Sequence, residues 1–566
     1  MVSFPPPPET DALDPRGWDG DVVQSALRVA SAVAAEAGDA IGSGERGIVV
    51  ASTGAFATLA GQQALTAGGS AVDAALSTAF TQIGQCLGSW VSYAGIFSLI
   101  HYTAASGKID TLSAGFGTCR AETDPASIPR PPTPSGRTAL VPGFVAGAFA
   151  AHDRFGRLPW AVLWLPAIHL AEYGVPITGV FEKMFDVRAD VLSRTAEARA
   201  AFTVHGRLPR SGDFFCQPAL ADTLRAIAQQ GPDWMYRGPW THRFVELVRR
   251  DGGQVQFSDL ADYQPLWGES LSAEFGGHEV HTMPAPDTGG VALLVALSLI
   301  EAADLGDPTR DPDALYWLIR IIERSAAEAH GGSVSEVATE RIAAMWQQLR
   351  RGNDRAAHES GEGASHSDFV ITADADGNVA AMCHSINTGL WGTTGIVVDG
   401  IAIPDPATFQ QSALARLAPG AHLPMPINPA IVLRDGRPVL ACSSMGAGMH
   451  AVAVQQLNSV LRLGADIFAA VDQPLIHAKD IDVGPSLTAK VAALDPTQPI
   501  ARAVDDRFDP ALLDAVRGRG QLVSARAKSD PALPRGYWGA IATAATPPRY
   551  RGARTFGWGP IRGIPN

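Results

Sequence analysis

The sequence predicts a large mixed fold of α-helices and antiparallel β-strands, and three observations predict it. Apolar residues recur at helical spacing in several segments that end at Gly or Pro. Runs rich in Val, Ile and Ala flank Asp376-Gly377 and Asp435-Gly436, and an Asp-Gly pair between two such runs is a strong β-hairpin signal. The 566 residues are 46% hydrophobic and 18% charged, so the chain has enough apolar surface for an extended core.

The first 45 residues predict an arm followed by a helix. They begin Pro-rich and continue through DVVQSALRVASAVAAEAGDAIGSG (21–44), which we interpret as an Ala-rich helix closed by glycine. The segment GIVVAST (47–53) then predicts a short strand. Helices are expected on both sides of a tight turn at Gly68-Gly69, and a hairpin is expected with Ser106-Gly107 at its turn.

The middle of the chain predicts further helices and one strand. Residues 158–177 and 217–253 have amphipathic helical patterns that end at Gly or Pro. Residues 271–303 predict a strand, a Pro/Gly turn and a long buried helix. From 350 to 366 the composition shifts to Gly, Ser, His and charge, which is typical of a mobile, exposed linker.

The last third predicts mainly strands. Residues 367–389 carry the hairpin pattern around Asp376-Gly377, and residues 428–448 repeat it around Asp435-Gly436. Residues 536–559 are expected to form edge strands.

Composition and charge argue against several classes of function. The net charge of −13 and the lack of a long basic run argue against a nucleic-acid partner, because such binding depends on clustered Lys and Arg. The five cysteines are far apart, so neither a metal knuckle nor a disulfide framework is predicted, and we expect no metal and no cofactor. Neither a secretory signal nor a membrane-spanning apolar run is evident, so a cytoplasmic location without membrane contact is expected.

Seven segments, taken in order, resemble the γ-glutamyltransferase family. Each segment is weak by itself, but their order and similar spacing extend the resemblance over roughly residues 46–566. The segments are AGGSAVDAALS (67–77), VPGFVAGAFAAHDRFGRLPW (141–160), GPDWMYRG (231–238), GGQVQFSDLADYQP (252–265), MPAPDTGG (283–290), DGNVAAMCHSINTGLWGTTGI (376–396) and SSMGAGM (443–449).

The resemblance implies the N-terminal-nucleophile hydrolase fold, an α+β fold arranged as a four-layer αββα sandwich. In this family the chain cuts itself before a Thr, which then opens the small chain. The implied boundaries are an arm and helix over 1–45, a large-subunit part over 46–366 and a small-subunit part over 367–566, the last two sharing one structural domain. The implied mature form is a heterodimer of the chain's own fragments, and a higher homo-oligomer is left open.

Ser367 is the nucleophile that the resemblance implies. A gapless alignment on Gly377 and Asn387 puts the family's nucleophile ten residues before the first and twenty before the second, at Ser367. Ser365 would need two inserted residues and is the second choice. The cut then falls between His366 and Ser367. A Ser at a new N-terminus can use its own α-amine as the base, although the family's usual residue is Thr.

Four more positions take roles from the same alignment. Ser385 falls where the family has a Thr that hydrogen-bonds the nucleophile, and Asn387 falls where it has an Asn that faces the substrate. The segment SSMGAG (443–448) resembles the family's oxyanion element, so Gly446 and Ala447 are expected to donate backbone N–H groups to the developing negative oxygen. Such a donor lowers a barrier by ~3 kcal/mol.

The charged clamp that the family uses on a γ-glutamyl donor is not matched here. Gly115 occupies the position of the family's Arg, and Arg120, five residues on, is the candidate to replace it from a loop. The expected acidic residue is replaced by the neighbourhood of Thr408 and Phe409, with Asp405 displaced.

The family's Ser-Ser pair becomes Met425-Pro426 here. An unpaired ammonium or carboxylate head group is costly once it is desolvated, so these losses predict a substrate other than glutathione. Met425, Phe409 and Trp391 predict a less polar acyl pocket for a small-molecule amide. Cys383 is expected to be a small buried residue rather than a nucleophile. His384 is expected to be a core or surface histidine rather than a base.

Three functions remain open from the sequence. The first is an autoprocessing amidase or acyltransferase that acts through an ester on Ser367. The second is a conventional γ-glutamyl hydrolase or transferase whose clamp is rebuilt by Arg120 and Asp405. The third is an unprocessed relative that binds a metabolite or partner without turnover.

Overall fold

The computed structural model describes residues 12–31, 38–130, 132–330, 338–352, 367–480, 500–530, 532–544, 546–547, 549–557 and 559–565. The predicted linker over 350–366, including Ser365 and His366, therefore lies almost entirely outside the described residues. None of the helices within these ranges is long and apolar enough to cross a membrane.

Nineteen α-helices are found in the described ranges. They are α1 (Gly20–Ser31), α2 (Ala55–Thr66), α3 (Ala71–Gln85), α4 (Phe144–Phe155), α5 (Leu165–Tyr173), α6 (Gly179–Val187), α7 (Ala189–Leu192), α8 (Ala196–Phe202), α9 (Pro218–Gln230), α10 (Asp233–Tyr236), α11 (Pro239–Arg250), α12 (Phe257–Ala261), α13 (Gly289–Ala303), α14 (Pro312–His330), α15 (Thr339–Arg350), α16 (Gln411–Leu414), α17 (Met449–Leu457), α18 (Ile467–Ala470) and α19 (Pro510–Gly518).

The same ranges contain twenty-one strands. They are β1 (Gly38–Gly44), β2 (Gly47–Ala51), β3 (Ile96–Thr103), β4 (Lys108–Ala114), β5 (Val175–Pro176), β6 (Phe214–Phe215), β7 (Leu266–Gly268), β8 (Leu271–Phe275), β9 (His278–Thr282), β10 (Ser367–Ala373), β11 (Val379–Ser385), β12 (Val397–Val398), β13 (Ile401–Ala402), β14 (Ala430–Arg434), β15 (Arg437–Met445), β16 (Ile476–Lys479), β17 (Arg502–Asp505), β18 (Val523–Arg526), β19 (Tyr537–Thr543), β20 (Tyr550–Gly557) and β21 (Arg562–Ile564).

Two large antiparallel sheets organise the described part of the chain. The first has the order β1-β20-β19-β15-β14-β9-β8, and the second has the order β21-β2-β10-β11-β3-β4-β7. Each sheet takes strands from both sides of the implied cut before Ser367. Short pairs and a three-stranded sheet, β16-β17-β18, lie outside these two.

Four layers result from the way the two sheets bury their faces. Apolar side chains such as Phe369 and Ile371 of β10 and Ala441 and Ile541 of the first sheet form a shared core between the sheets. The outer face of the second sheet packs on α2, α3 and α4, and the outer face of the first sheet packs on α13 and α17. The structure therefore confirms the αββα sandwich.

The hairpins predicted around the two Asp-Gly pairs are confirmed. Asp435 and Gly436 have φ values of 52° and 72°, the left-handed pair that a tight two-residue hairpin requires. The turn before β11 is longer, and the Asp374 carboxylate organises it by accepting hydrogen bonds from the backbone N–H groups of Asp376 and Asn378, each at 3.0 Å. The helices on either side of Gly68 and the hairpin at Gly107 are also found.

Three expectations about elements are wrong. Residues 38–44, expected to close the N-terminal helix, form β1 and pair with β20. Residues 271–282 form two strands because Gly276 and Gly277, with φ values of 57° and 74°, turn the chain between them. The strands within 536–559, expected at an edge, lie inside the first sheet, since β1 and β15 cover both sides of the β19-β20 pair.

Candidate active site

Ser367 begins β10, and its hydroxyl is hydrogen-bonded to Ser385, the last residue of β11. The two residues are direct partners in the antiparallel ladder. Ser367 Oγ donates to Ser385 Oγ at 3.0 Å, and the backbone N–H of Asn387 donates to the same oxygen at 2.9 Å. The two serines are 3% and 2% exposed. The Ser367 hydroxyl is thus held in one direction inside the protein.

Both hydroxyls face the layer between the two sheets. Side chains alternate between the two faces of a strand. Phe369 and Ile371, two and four residues after Ser367, belong to the core between the sheets. Ser367 shares their face, whereas Asp368 points away from this layer.

Asp368 is a buried carboxylate beside the candidate nucleophile, and the sequence reasoning missed it. Its Oδ1 accepts hydrogen bonds from the hydroxyls of Ser52 at 2.6 Å and Thr53 at 2.9 Å, and its Oδ2 accepts one from Trp90 Nε1 at 2.9 Å. Burial raises the pKa of Asp368 to about 6, although these hydrogen bonds lower it. The carboxylate therefore ties the start of β10 to the segment after β2 and to the loop after α3.

A signal for Asp368 was present in the sequence. It is a charged residue at the second position of a strand whose seven residues are all buried. A buried carboxylate needs hydrogen-bond donors around it, so an Asp inside an apolar strand indicates a polar network.

His384 lies directly opposite Asp368 in the ladder and is a core residue. Its Nε2 is 2.9 Å from Gln82 Oε1, and burial lowers its pKa to about 3. Burial also raises the pKa of the Cys383 thiol far above its usual range. A neutral imidazole and a protonated thiol agree with the structural roles expected for both residues.

Gly446 and Ala447 follow directly after β15. Gly446 has a φ of 85°, and a Cβ built on it would lie 2.6 Å from the carbonyl oxygen of Arg535, so this position requires glycine. Within the described residues, neither the Gly446 nor the Ala447 amide donates a hydrogen bond. Both N–H groups are free for another acceptor.

Packing between the sheets puts Gly446 at the same end of the sandwich as Ser367. Phe369 packs on Gly539, where a built Cβ would lie 2.5 Å from the Phe369 ring. At the other end of β10, the Tyr550 hydroxyl donates to the carbonyl oxygen of Asp374 at 2.7 Å. The start of β10 therefore lies over the start of β19, and β19 pairs antiparallel with β15. The end of β15, and Gly446 after it, lies at the start of β10.

A row of paired residues runs across the second sheet from the candidate nucleophile to the position of the missing Arg. Ser385 pairs with Ile96 on β3, and β3 pairs with β4, which ends just before Gly115. Adjacent strands are about 4.8 Å apart, so Gly115 lies roughly 14 Å from Ser367, three strands across. Both residues are at the same end of this sheet.

Gly115 and Met425, two of the positions that differ from the family's clamp, are in contact. A Cβ built on Gly115 would lie 2.8 Å from the carbonyl oxygen of Leu423 and 3.5 Å from Met425 Cγ. Met425 is 1% exposed, and its N–H donates to Asp287 Oδ1 at 3.1 Å. Met425 and Leu423 thus occupy the space that a longer side chain at position 115 would need.

Asp405 is fully buried among threonine hydroxyls. Its Oδ1 accepts a hydrogen bond from Thr388 at 2.6 Å, and its Oδ2 accepts one from Thr408 at 2.9 Å and another from Thr393. These contacts hold the 388–408 segment together, and both carboxylate oxygens are engaged within it.

Trp391 is part of the core of the second sheet and its helices. Its indole N–H donates to the carbonyl oxygen of Leu87 at 2.9 Å, and its ring stacks on Phe185 with centroids 5.4 Å apart. The side chain is 2% exposed.

Arg120 and Phe409 complete the predicted set. The Arg120 side chain is 43% exposed, and its guanidinium donates to Asp262 Oδ2 at 2.9 Å and to the carbonyl oxygen of Ser258 at 3.1 Å. Phe409 ends the short 3₁₀ turn Pro406–Phe409. The structure thus brings Ser367, Ser385 and Asn387 together directly, while Arg120 is engaged in a surface ion pair.

Two facing antiparallel sheets between helical outer layers define the N-terminal-nucleophile hydrolase fold class. A buried hydroxyl begins one of the strands between these layers. The family model for γ-glutamyltranspeptidase matches residues 57–530, and the chain belongs to this family. It is therefore an amidohydrolase or acyltransferase of the N-terminal-nucleophile type.

Three known proteins illustrate the similarity. The glutathione hydrolase proenzyme of Pseudomonas aeruginosa is 28% identical over 486 residues, which cover 80% of this chain and 86% of the relative. The acylase ACY 1 proenzyme of Pseudomonas sp. strain SE83 is 28% identical over 471 residues, 77% of this chain and 83% of that protein. The crystal structure of cephalosporin acylase from Bacillus halodurans has a TM-score of 0.75 at 22% identity, covering 92% of this chain and 96% of its own.

Proposed function

We propose that this protein is an autoprocessing amide hydrolase or acyltransferase that acts through an acyl-enzyme on Ser367, with an amide other than glutathione as its substrate. The observation that carries the proposal is the hydrogen bond from Ser367 Oγ to Ser385 Oγ at the start of β10. A buried, oriented hydroxyl at the first residue of a strand is suited to become an N-terminal nucleophile once the preceding bond is cut.

Maturation takes two steps. Ser367 Oγ attacks the carbonyl carbon of His366, the C–N bond between the two residues breaks, and the hydroxyl proton moves to the leaving amine. Water then hydrolyses the new ester, which frees the carboxyl group of His366 and the hydroxyl of Ser367, whose α-amine was already freed in the first step. Ser385 supports the first step because it fixes the direction of the attacking oxygen.

Turnover uses the amine that maturation frees. The α-amine takes the proton from Ser367 Oγ as this oxygen attacks the amide carbonyl, and the same proton leaves with the departing amine. The free N–H groups of Gly446 and Ala447 are the proposed donors to the negative oxygen of the tetrahedral intermediate. Water or an amine then attacks the ester and releases the acyl group.

The neighbourhood of Gly115 supports a substrate other than glutathione. Position 115 has no side chain, and Met425 and Leu423 fill the adjacent space. A clamp rebuilt from Arg120 and Asp405 would have to break the ion pair with Asp262 and the contacts with three threonines. Desolvating a γ-glutamyl head group without compensating charges is costly, so a less polar acyl group is favoured.

The denatured intact mass of the purified protein tests the nucleophile. Wild type is expected to give two fragments divided between His366 and Ser367, and Ser367→Ala is expected to give one uncut chain. Ser365→Ala is the matched control and is expected to be cut like wild type. An uncut wild-type chain would instead favour a binding protein without turnover, and a cut that Ser365→Ala abolishes would move the nucleophile to Ser365.

Kinetics test the substrate class on the cut enzyme. We expect p-nitroanilides of less polar acyl groups to be hydrolysed with a higher kcat/KM than γ-glutamyl-p-nitroanilide. A clear preference for the γ-glutamyl compound would overturn this part of the proposal and favour a conventional γ-glutamyl enzyme.

The fragments are proposed to remain together as a heterodimer after the cut, because both sheets contain strands from 46–366 and from 367–566. A higher homo-oligomer and the cytoplasmic location expected from the sequence stay predictions.

A further inference from the structure

Asp287 presents a free, buried carboxylate oxygen beside the two positions that differ from the family's clamp. It lies in the MPAPDTGG segment between β9 and α13 and is 1% exposed. Its Oδ1 accepts the hydrogen bond from the Met425 N–H, whereas its Oδ2 has no hydrogen-bond partner among the described residues. Burial raises the pKa of Asp287 to about 7.

The groups around this carboxyl leave its second oxygen unused. The Ser113 hydroxyl is near enough to lower the pKa of Asp287, but it closes no hydrogen bond with Oδ2. The hydroxyl of the nearby Tyr263 is committed to the carbonyl oxygen of Gly115 at 2.6 Å. Within the described part of the chain, neither Lys nor Arg forms an ion pair with Asp287.

Asp287 lies at the end of the sandwich where the reaction is proposed to occur. On the first sheet, Thr282 at the end of β9 pairs with Ala430, and Ala430 pairs with Cys442 near the end of β15. The loop that follows β9 is therefore at the same end as Gly446. On the second sheet, Ser113 shares a face with the residues that line the layer between the sheets, as Ser367 does.

We propose that Asp287 is a specificity-determining residue, whose free Oδ2 pairs with a cationic amino group on the acyl chain of the substrate. This deepens the proposed function and rests on it. A desolvated carboxylate without a counter-ion is unfavourable, and an ammonium group from the substrate supplies both a hydrogen-bond donor and the opposite charge. With Gly115 in place of the family's Arg, position 115 offers no cation for a substrate carboxylate. The acyl group inferred is therefore an amino-acyl chain that lacks the α-carboxylate of a γ-glutamyl group.

Paired substrates isolate this contact in the cut enzyme. The probes are the p-nitroanilides of 4-aminobutanoic and 6-aminohexanoic acids, each compared with its methyl isostere, the pentanoyl or heptanoyl anilide. Wild type is expected to prefer at least one ammonium compound over its isostere by tenfold or more in kcat/KM. Asp287→Asn keeps the shape but removes the charge, and this ratio is expected to fall to about one or below.

Asp435→Asn is the matched control, because Asp435 is exposed in a hairpin turn whose left-handed backbone Asn also adopts. This variant is expected to keep the wild-type ratio. The proposal is overturned if wild type treats ammonium and methyl compounds alike, or if Asp287→Asn keeps the preference.

Thermal unfolding gives a test that does not need turnover. Hexylammonium chloride is expected to raise the Tm of the wild-type protein more than hexan-1-ol does at the same concentration, and Asp287→Asn is expected to lose this difference. Equal shifts in wild type would overturn the role of Asp287. A different result would contradict the proposed function itself. In that case the Ser367→Ala variant would still be cut, or would still hydrolyse the anilides, independently of the results for Asp287.

Discussion

Ser385 is the residue on which the direction of the Ser367 hydroxyl depends. Its oxygen accepts hydrogen bonds from Ser367 and from the backbone N–H of Asn387, so it links the start of β10 to the chain after β11. Both serines are buried, which prevents water from replacing this contact easily.

Replacing Ser385 by Ala is expected to slow the cut before Ser367 by roughly one to two orders of magnitude, because the attacking oxygen loses its orientation. The time course of fragment formation after purification of the uncut chain measures this effect. Ser77→Ala is the control, since the buried Ser77 hydroxyl on α3 has no partner among the described residues. Equal rates in Ser385→Ala and wild type would show that Ser385 does not position the nucleophile.

The carboxylate of Asp368 attaches the start of strand β10 to the neighbouring segments. Asp368 holds Ser52, Thr53 and the Trp90 indole, so three separate segments meet at the second residue of this strand. The indole N–H is a pure donor and cannot reverse its role.

Asp368→Asn is expected to lower the free energy of unfolding by about 1–3 kcal/mol. The amide NH₂ of Asn is a donor, so it would lie against one of the O–H or N–H donors that now bind a carboxylate oxygen. Urea unfolding at pH 8, above the pKa of about 6 for Asp368, measures the difference. Asp435→Asn again serves as the exposed control. A stability equal to wild type would mean that these hydrogen bonds contribute nothing net.

The sequence predicted those helices and strands that nearby residues determine, and it missed those that depend on pairing with distant segments. The hairpin around Gly436 and the helices beside Gly68 were predicted because turn residues determine them within a few positions. The strand over 38–44 was missed, since its Gly-rich sequence resembles a helix end and only pairing with β20 makes it a strand.

The same limit applied to the site. The alignment predicted Ser367 and Ser385, and the structure pairs them directly. It could not predict that Met425 would contact Gly115 or that Asp287 would bond to Met425, because these contacts join segments more than a hundred residues apart.

Buried histidines make the whole molecule sensitive to acid. Burial lowers the pKa of His101 to about 4 and the pKa values of His384 and His477 to about 3. Below pH 6.5 the unfolded chain binds a proton at each site while the folded chain does not, so stability is full above pH 6.5 and falls as the pH drops toward the folded pKa. The raised pKa values of Asp287 and Asp368 act in the opposite direction.

One histidine can be isolated by substitution. His384→Gln is expected to lose about 2 kcal/mol less unfolding free energy than wild type when the pH falls from 7 to 5, since its proton uptake on unfolding is removed. Urea unfolding at the two pH values gives this difference. The exposed His205 provides the control variant His205→Asn, which is expected to follow wild type. Identical losses in His384→Gln and wild type would contradict the assignment.

Strands from the two parts of the chain alternate within each sheet, and this arrangement affects how the protein can fold and refold. In the first sheet, β9 from the earlier part pairs with β14 from the later part, and in the second sheet β10 lies next to β2. Neither part holds a complete sheet by itself, so neither is expected to reach this shape alone. A cut before Ser367 removes the covalent link between the two parts. After unfolding, the two fragments would have to meet in solution before the sheets could form again. Cleavage would therefore make unfolding irreversible, because the protein folds as a single chain and the two fragments do not refold readily. The lifetime of the cut form would then be set by its rate of unfolding.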